Sequence, residues 1–206
     1  MLKIWGRVNS INVMKVLWCC AELDLKYERV DAGMEHGVVD EDFYARLNPN
    51  RKVPTIEDDG LVLWESNVIV RYLAAKHGHG TLYPEDIRVR AVAEQWMDWQ
   101  QTSLNPDVGF IFWGLIRNRA ENKDPAKLAA AGKRLENLWS MLETQLSDRP
   151  FVCGKQLTMG DIPIGAVAWR YFNLPIEHPR LPNVEAWHER LKERAGFREF
   201  VALPLS

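Results

Sequence analysis

The sequence predicts an α/β domain at the N-terminus followed by an all-helical domain. Short β-rich runs alternate with helical periodicity over the first third of the chain, whereas only helical periodicity continues beyond it. Gly78-His79-Gly80 and Pro84 interrupt the pattern between these two parts. We therefore expect domains at residues 1–77 and 87–206, joined by a linker over residues 78–86.

Composition disfavours several classes of protein. The chain has 206 residues, 47% of them hydrophobic, and a net charge of -2, so it can bury a core and offers no basic surface to nucleic acid. No apolar run is long enough to span a bilayer, and residues 1–7 lack the features of a signal peptide. Three cysteines cannot all pair, and Cys19 and Cys20 are adjacent, which favours reduced thiols. We expect a cytoplasmic protein that binds neither nucleic acid nor a membrane.

The elements of the first domain follow from hydrophobic patterning and turn signals. In chain order we predict a strand at Leu2–Trp5, a helix at Val13–Leu23, a strand at Tyr27–Val30, a helix at Asp42–Leu47, strands at Val53–Ile56 and Leu61–Trp64, and a helix that ends near Lys76. Asp59-Gly60 predicts a tight hairpin turn, and Ser66 is the expected N-cap of the last helix. The order βαβαββα is the thioredoxin-like arrangement.

The second domain is predicted from apolar residues at helical spacing. One set runs from Val89 to Trp99, another from Leu128 to Leu142, and a last helix carries Val184, Trp187 and Leu191. Pro106 should break or kink the first of these helices, and Asp124-Pro125 marks the start of the next. Thr158 and Asp161 predict a capping box before a helix at Ile162–Phe172.

The hairpin and the helix after it form a predicted ligand edge. Pro54 stands at the start of a strand, and a cis Val53-Pro54 bond would leave the main chain of Val53 facing outward, where a small peptide can pair with it. Ser66 opens a helix whose free N–H groups favour a carboxylate, while Glu65 can hold an amine. This corner matches an α-amino acid head group such as a γ-glutamyl moiety.

Through these residues the chain resembles the glutathione S-transferase superfamily, which binds glutathione through a Val-Pro step and a Glu-Ser pair spaced as Val53-Pro54 and Glu65-Ser66 are here. Thr158-Met159-Gly160-Asp161 stands where the family has a Ser/Thr-x-x-Asp helix cap, so the resemblance covers the whole chain. It looks like a bacterial, serine-type member. The resemblance implies glutathione as co-substrate, no metal, and a homodimer.

The family resemblance also suggests which cations meet glutathione. A carboxylate at the glycyl end of the tripeptide needs a cation or hydrogen-bond donors. Lys52 has the best positional match, and Arg51 and His36 are further candidates. A solvated surface charge is the alternative role for Arg51, and the correspondence around His36 is loose.

The resemblance places the sulfur of glutathione at the N-terminus of the first helix, beside Ser10 and Asn12. A thiol with a pKa near ~8.5 is mostly protonated at neutral pH, so donors from Ser10, Asn12 and the helix end would favour the thiolate. The alternative is that Ser10 or Asn12 only caps the helix. Many serine-type members have proline where this chain has Asn12, which is more like bacterial members with a Thr-Pro-Asn turn and disulfide reductase activity. A glutathione-dependent disulfide or peroxide reductase therefore remains open.

Phe110, Trp113 and Arg117 lie on the segment that walls the electrophile pocket in this family. An aromatic wall with one cation suits a flat, hydrophobic electrophile on which negative charge develops, although each aromatic could simply pack in the core. We expect a transferase of the detoxification type, in which the thiolate attacks an electrophilic carbon. A non-catalytic interaction module with the same fold is the remaining alternative, and the intact Ser10 and Ser66 argue against it.

Overall fold

The computed structural model describes residues 1–206 and has the two-part order that the sequence predicts. The first part contains strands β1 Leu2–Trp5, β2 Tyr27–Val30, β3 Thr55–Asp58 and β4 Leu61–Trp64, and helices α1 Ile11–Glu22, α2 Asp42–Leu47 and α3 Ser66–His77. The second part contains helices α4 Ile87–Trp99, α5 Asn105–Leu115, α6 Pro125–Gln145, α7 Asp161–Phe172, α8 Pro182–Lys192 and α9 Ala195–Phe200. Single turns of 3₁₀ helix lie at Met34–His36 and Ala120–Asn122. None of the helices is both long enough and apolar enough to cross a membrane.

The four strands form one mixed sheet in the order β2-β1-β3-β4, which is the thioredoxin-like topology. β1 pairs parallel to β2, while β3 pairs antiparallel to both β1 and β4. The α1 crossover joins the parallel pair, as a parallel connection requires. The sheet thus presents the loop after β1 and the start of β3 next to each other, since Trp5 is paired with Thr55.

The hairpin turn is confirmed, but the strand before it begins later than predicted. Asp58 pairs with Leu61, and the two residues between them, Asp59 and Gly60, have positive φ angles of 50° and 86°, as a two-residue type I′ turn needs. The Val53-Pro54 peptide bond is cis. β3 starts at Thr55 rather than Val53, so Pro54 precedes the strand instead of opening it.

Two predicted helix starts were wrong by one or two residues. α1 begins at Ile11 rather than Val13, with Ser10 as its N-cap. Ser66 is the first residue of α3 and not its N-cap, a position that Glu65 occupies with a φ of 70°. A positive φ is uncommon for a residue with a side chain, and such strained positions cluster at ligand sites.

The break at Pro106 is confirmed and takes a form that the periodicity does not reveal. α4 continues into a π-helical turn at Gln100–Leu104, and α5 then begins with Pro106 in its first turn. The missing N–H of proline cannot bond within the preceding turn, so the register of the helix changes there. α9 was not predicted, because its six residues are too short for a periodic signal.

A single core joins the sheet to the helical part, and α1 lies at its centre. Trp18 of α1 is fully buried and packs edge-on to Phe197 of α9, with ring centroids 5.0 Å apart. Gly165 lets the Trp18 ring lie directly against α7, because a Cβ at this position would be 2.9 Å from the Trp18 ring and 2.7 Å from Leu191. Trp18 therefore packs α1 against both α7 and α9.

Candidate active site

Ser10 ends the loop after β1 and is the N-cap of α1. Its carbonyl accepts hydrogen bonds from Val13 N and Met14 N, both at 2.9 Å, but its side chain makes no capping hydrogen bond. The Ser10 hydroxyl therefore does not cap the helix, which was its alternative role. This residue is 8% exposed, and Ser10, Ile11 and Asn12 line the same cavity, so the start of α1 with its free N–H groups borders that cavity.

Asn12 links this helix end to the start of α3. Its Oδ1 accepts a hydrogen bond of 3.4 Å from the Ser66 hydroxyl, and Asn12 lines the same cavity as Ser10. Beneath Ser66 lies the fully buried ammonium group of Lys15, which is 3.5 Å from Ser66 Oγ, 3.4 Å from Asn67 Oδ1 and 3.1 Å from Gln100 Oε1. Burial is the main reason that the pKa of Lys15 falls to about 7. Periodicity and motifs do not single out this lysine, because it lies within an otherwise apolar helix.

The proposed peptide edge is accessible along the segment before β3. Lys52 and Val53 line the cavity, and the N–H and C=O groups of Val53 have no backbone partner. The carbonyl of Lys52, in contrast, accepts hydrogen bonds of 2.8 Å from both Tyr44 and Asn48. The Lys52 side chain is exposed and in no ion pair, whereas Pro54 is buried behind the edge and does not line the cavity.

The other predicted glutathione contacts differ in their placement. Arg51 lines the cavity, but its guanidinium donates to the carbonyls of Val39 and Asp40 and lies 3.7 Å from Asp42. His36 is exposed, lies 3.5 Å from Glu35 and does not line the cavity. Glu65 is also exposed, whereas the neighbouring Ser66 is buried, and neither residue lines the cavity.

The cavity, of about 380 Å³, is closed on its far side by α5 and the segment after it. Gly109, Phe112, Trp113 and Arg117 line it, which brings the predicted Trp113 and Arg117 opposite Ser10. Phe110 is half-buried, packs against the core and does not line the cavity. Three further arginines, which sequence reasoning did not single out, also line it: Arg7, Arg119 and Arg170.

Proteins of known structure and sequence resemble this chain over its full length. "Glutathione S-transferase GstB" of Escherichia coli (strain K12) is 38% identical over 208 residues, covering 100% of both chains. The chain belongs to the glutathione S-transferase family. Residues 1–75 match the model for "Glutathione S-transferase, N-terminal domain", and residues 125–190 match that for "Glutathione S-transferase, C-terminal domain".

Structural comparison agrees with this membership. The theta class glutathione S-transferase from the citrus canker pathogen Xanthomonas axonopodis pv. citri, solved with glutathione bound, superimposes with a TM-score of 0.94 at 40% identity, covering 100% of this chain and 99% of that chain. A Bombyx mori glutathione transferase superimposes with a TM-score of 0.86 at 26% identity, covering 98% and 93%. "Glutathione S-transferase F13" of Arabidopsis thaliana is 29% identical over 95% of this chain and 93% of its own.

The thiols of this glutathione S-transferase lie away from the cavity. All three cysteines are free, and none lines it. Cys19 and Cys20 are fully buried in α1, where burial raises the pKa of Cys19 well above its ordinary value and that of Cys20 to about 12. Burial also raises the pKa of Cys153 to about 11. Protonated, buried thiols are poor nucleophiles.

Proposed function

We propose that Ser10 and Asn12 activate glutathione as a thiolate at the N-terminus of α1 for attack on an electrophilic carbon held against α5. The chain is a glutathione transferase, and glutathione is its co-substrate. The observation that carries the residue assignment is that Ser10, whose hydroxyl makes no capping hydrogen bond, lines the same cavity as Asn12, Phe112 and Trp113. No carboxylate lines this cavity to compete with a thiolate.

The thiolate needs only a modest stabilisation. Lowering a thiol pKa by about two units corresponds to about 2.7 kcal/mol. A hydroxyl donor, an amide donor and the partial positive charge of a helix N-terminus each favour the thiolate and together supply energy of this size. The reaction forms a carbon–sulfur bond while the leaving group departs with its electron pair.

The remaining contacts to glutathione are assigned by the chemistry of each end. The γ-glutamyl carboxylate is placed at the start of α3, where Ser66 donates and the Lys15 ammonium lies beneath, with Glu65 beside its amine. The cysteinyl main chain pairs with the free groups of Val53, which follows the peptide-edge mode of recognition. The glycyl carboxylate faces Lys52. Arg51 can also reach this carboxylate if its guanidinium gives up its present hydrogen bonds to backbone carbonyls.

We also propose that the protein is a homodimer and that it is located in the cytoplasm. Large apolar side chains remain exposed on β4, α3 and α4, and they include Leu61, Trp64, Val68 and Val92. Such a set on neighbouring elements is typical of a surface that is covered by a partner. Three free cysteines suit a reducing compartment.

The test is parallel turnover of 1-chloro-2,4-dinitrobenzene, a small organic disulfide and a hydroperoxide with glutathione, alongside calorimetric binding of glutathione. Conjugation exceeding both reductions, with a single glutathione site per chain, supports the transferase assignment. Faster disulfide or peroxide turnover would move the chain to the reductase class. Absence of glutathione binding would contradict the proposal.

A further inference from the structure

Three arginines from distant parts of the chain converge on the electrophile side of the cavity. Arg7 follows β1, Arg117 follows α5, and Arg170 lies in the last turn of α7. All three line the cavity that contains Ser10. Arg119 lies at its rim, where it is exposed and 3.9 Å from Glu121.

The charges of these three arginines are not neutralised by the protein. No aspartate or glutamate lines the cavity, and none of the three is in an ion pair. The Nε atoms of Arg7 and Arg117 are buried without a hydrogen-bond partner. The negative charge of Glu35 raises the pKa of Arg7, but Glu35 is exposed and does not line the cavity.

Arg170 is the most enclosed of the three. It is 9% exposed, and its guanidinium carbon lies 3.8 Å from the centre of the Phe112 ring. Arg117 lies 5.9 Å from the same ring and 5.7 Å from Trp113. The rings therefore attract the guanidinium groups of Arg170 and Arg117 by cation–π interaction, which leaves the N–H groups of these arginines without hydrogen-bond acceptors.

The positive charges repel one another, which contributes to lowered pKa values of Arg170 and Arg7. Burial, followed by the charges of Arg117 and Arg7, lowers the pKa of Arg170 to about 9. Burial and the charge of Arg117 likewise lower the pKa of Arg7. Buried charges of one sign are costly unless an opposite charge joins them, so the site as built favours an anionic ligand.

We propose that the electrophile of this enzyme carries a carboxylate or an equivalent oxyanion, which Arg7, Arg117 and Arg170 bind while its apolar part contacts Phe112 and Trp113. This inference rests on the proposed transferase function. It narrows the hydrophobic electrophile expected from the sequence to a small anionic one. Bidentate guanidinium groups match the geometry of a carboxylate, and they fix the distance from the bound anion to the reacting carbon.

A matched pair of probes isolates the charge. 4-Chloro-3-nitrobenzoate and 4-chloro-3-nitrobenzamide have the same leaving group at the same ring position and differ in one negative charge. In both, the glutathione sulfur bonds to the ring carbon and chloride leaves with the electron pair. Each kcat/KM is divided by the rate constant for the uncatalysed reaction with glutathione, which removes the difference in intrinsic reactivity. The wild-type enzyme should prefer the benzoate by about 10-fold or more.

Variants assign the preference to the cluster. Arg117→Gln and Arg170→Gln should each lower the normalised benzoate value by about 10-fold or more and leave that for the benzamide within a few-fold. Arg149→Gln, which removes the same charge from a partly exposed residue that is paired with Asp148 and does not line the cavity, is the matched control. Because Arg170 is buried, Arg117→Gln keeps the test informative if Arg170→Gln does not fold. Calorimetric binding of unreactive 3-nitrobenzoate to the glutathione-loaded enzyme should weaken in parallel.

Three results would overturn the inference without touching the transferase assignment. The first is equal normalised turnover of the two probes by an enzyme that binds glutathione and conjugates 1-chloro-2,4-dinitrobenzene. The second is an unchanged preference in both arginine variants. The third is a loss of glutathione affinity in these variants with no loss of 3-nitrobenzoate binding, which would assign the cluster to a carboxylate of glutathione. Failure to bind glutathione at all would instead contradict the proposed function.

Discussion

The ammonium group of Lys15 is fully buried in the middle of α1 and its hydrogen-bond partners are neutral oxygens. Burial and then the charge of Arg170 lower its pKa to about 7, against the opposing effect of Glu65. The unfolded chain has an ordinary lysine pKa near ~10.4. Between about pH 7 and pH 10 the unfolded state therefore binds more protons, and this lysine makes stability rise with pH, while below that window its penalty is complete.

Replacing Lys15 by methionine should remove this pH dependence. At pH 6 to 7 the variant avoids the burial penalty, so its free energy of unfolding should gain on that of the wild type, and the gain should shrink as the pH approaches 10. Urea unfolding at pH 7 and pH 9 measures the difference. Lys155→Met, the same change at an exposed residue, is the control. A difference between wild type and Lys15→Met that does not vary with pH would contradict this account.

Glu65 and Ser66 form the corner assigned to the γ-glutamyl group. Ser66→Ala and Glu65→Ala should each weaken glutathione binding by about 1 to 3 kcal/mol, because each leaves a charged ligand group without its partner. Isothermal calorimetry measures this, with Ser140→Ala as a control serine that only donates to Glu136 O within α6. Unchanged affinity in both variants would place the ligand elsewhere.

Among the helices, α7 depends most on one buried carboxylate. The oxygens of Asp161 accept from Thr158 N, Val152 N and Trp187 Nε1, all at 2.9 Å, and from the Thr158 hydroxyl at 3.2 Å. Only half of the capping box predicted from the sequence forms: Asp161 accepts from Thr158 N, but the Thr158 hydroxyl accepts from Gly160 N, and α7 begins at Asp161 with Gly160 as its N-cap. The contacts to Val152 and Trp187 tie Asp161 to two further segments. Burial raises the pKa of Asp161, and these hydrogen bonds oppose that rise.

Asp161→Ala should therefore destabilise the protein by more than an ordinary cap. Each buried donor left without a partner costs about 1 to 3 kcal/mol, so the loss should exceed the ~0.5 to 2 kcal/mol of a simple cap. Asp124→Ala is the matched control, since Asp124 is an exposed cap of α6 that accepts only from Ala126 N and Lys127 N. Urea denaturation compares the two. Equal losses, or a stable Asp161→Ala protein without transferase activity, would contradict a purely structural role.

How far the sequence predicts this structure depends on the distance over which each signal acts. Strands, the Asp59-Gly60 turn and the breaks at Pro106 and Asp124 were predicted because their causes are local. Val53 and Ser66 were predicted as a ligand edge from the Val-Pro step and the start of a helix, and Ser10 was added through the family resemblance. The convergence of Arg7 with Arg170 was not found, because the fold alone brings together residues so far apart in the chain.

The two parts of the molecule are joined across α1, and the proposed partner surface takes no part in this junction. Arg194 donates to both carboxylate oxygens of Glu22 at the end of α1, and Glu22 also accepts from Trp18 Nε1 at 2.7 Å. The exposed apolar residues of β4, α3 and α4 do not share in this contact. They form the surface that we propose a second copy covers.

Val68→Glu should shift the proposed homodimer toward the monomer, because it places a charge in the apolar surface that the partner covers. Val68 is 42% exposed on α3. Met141→Glu, at a 52% exposed position of α6, is the control and should leave the mass unchanged. Light scattering after size-exclusion chromatography reads out the mass. A monomeric wild type, or a dimeric Val68→Glu protein, would contradict the proposed interface.

Ultraviolet titration of the thiol of bound glutathione distinguishes the two side-chain donors, and we predict that Ser10 is the principal one. The wild-type complex should have a thiol pKa below that of free glutathione. Ser10→Ala should raise that pKa the most and reduce turnover by roughly 10²-fold with little change in glutathione affinity, while Asn12→Ala has the smaller effect. A larger rise in Asn12→Ala would make Asn12 the principal donor, and an unchanged pKa in both variants would contradict the account.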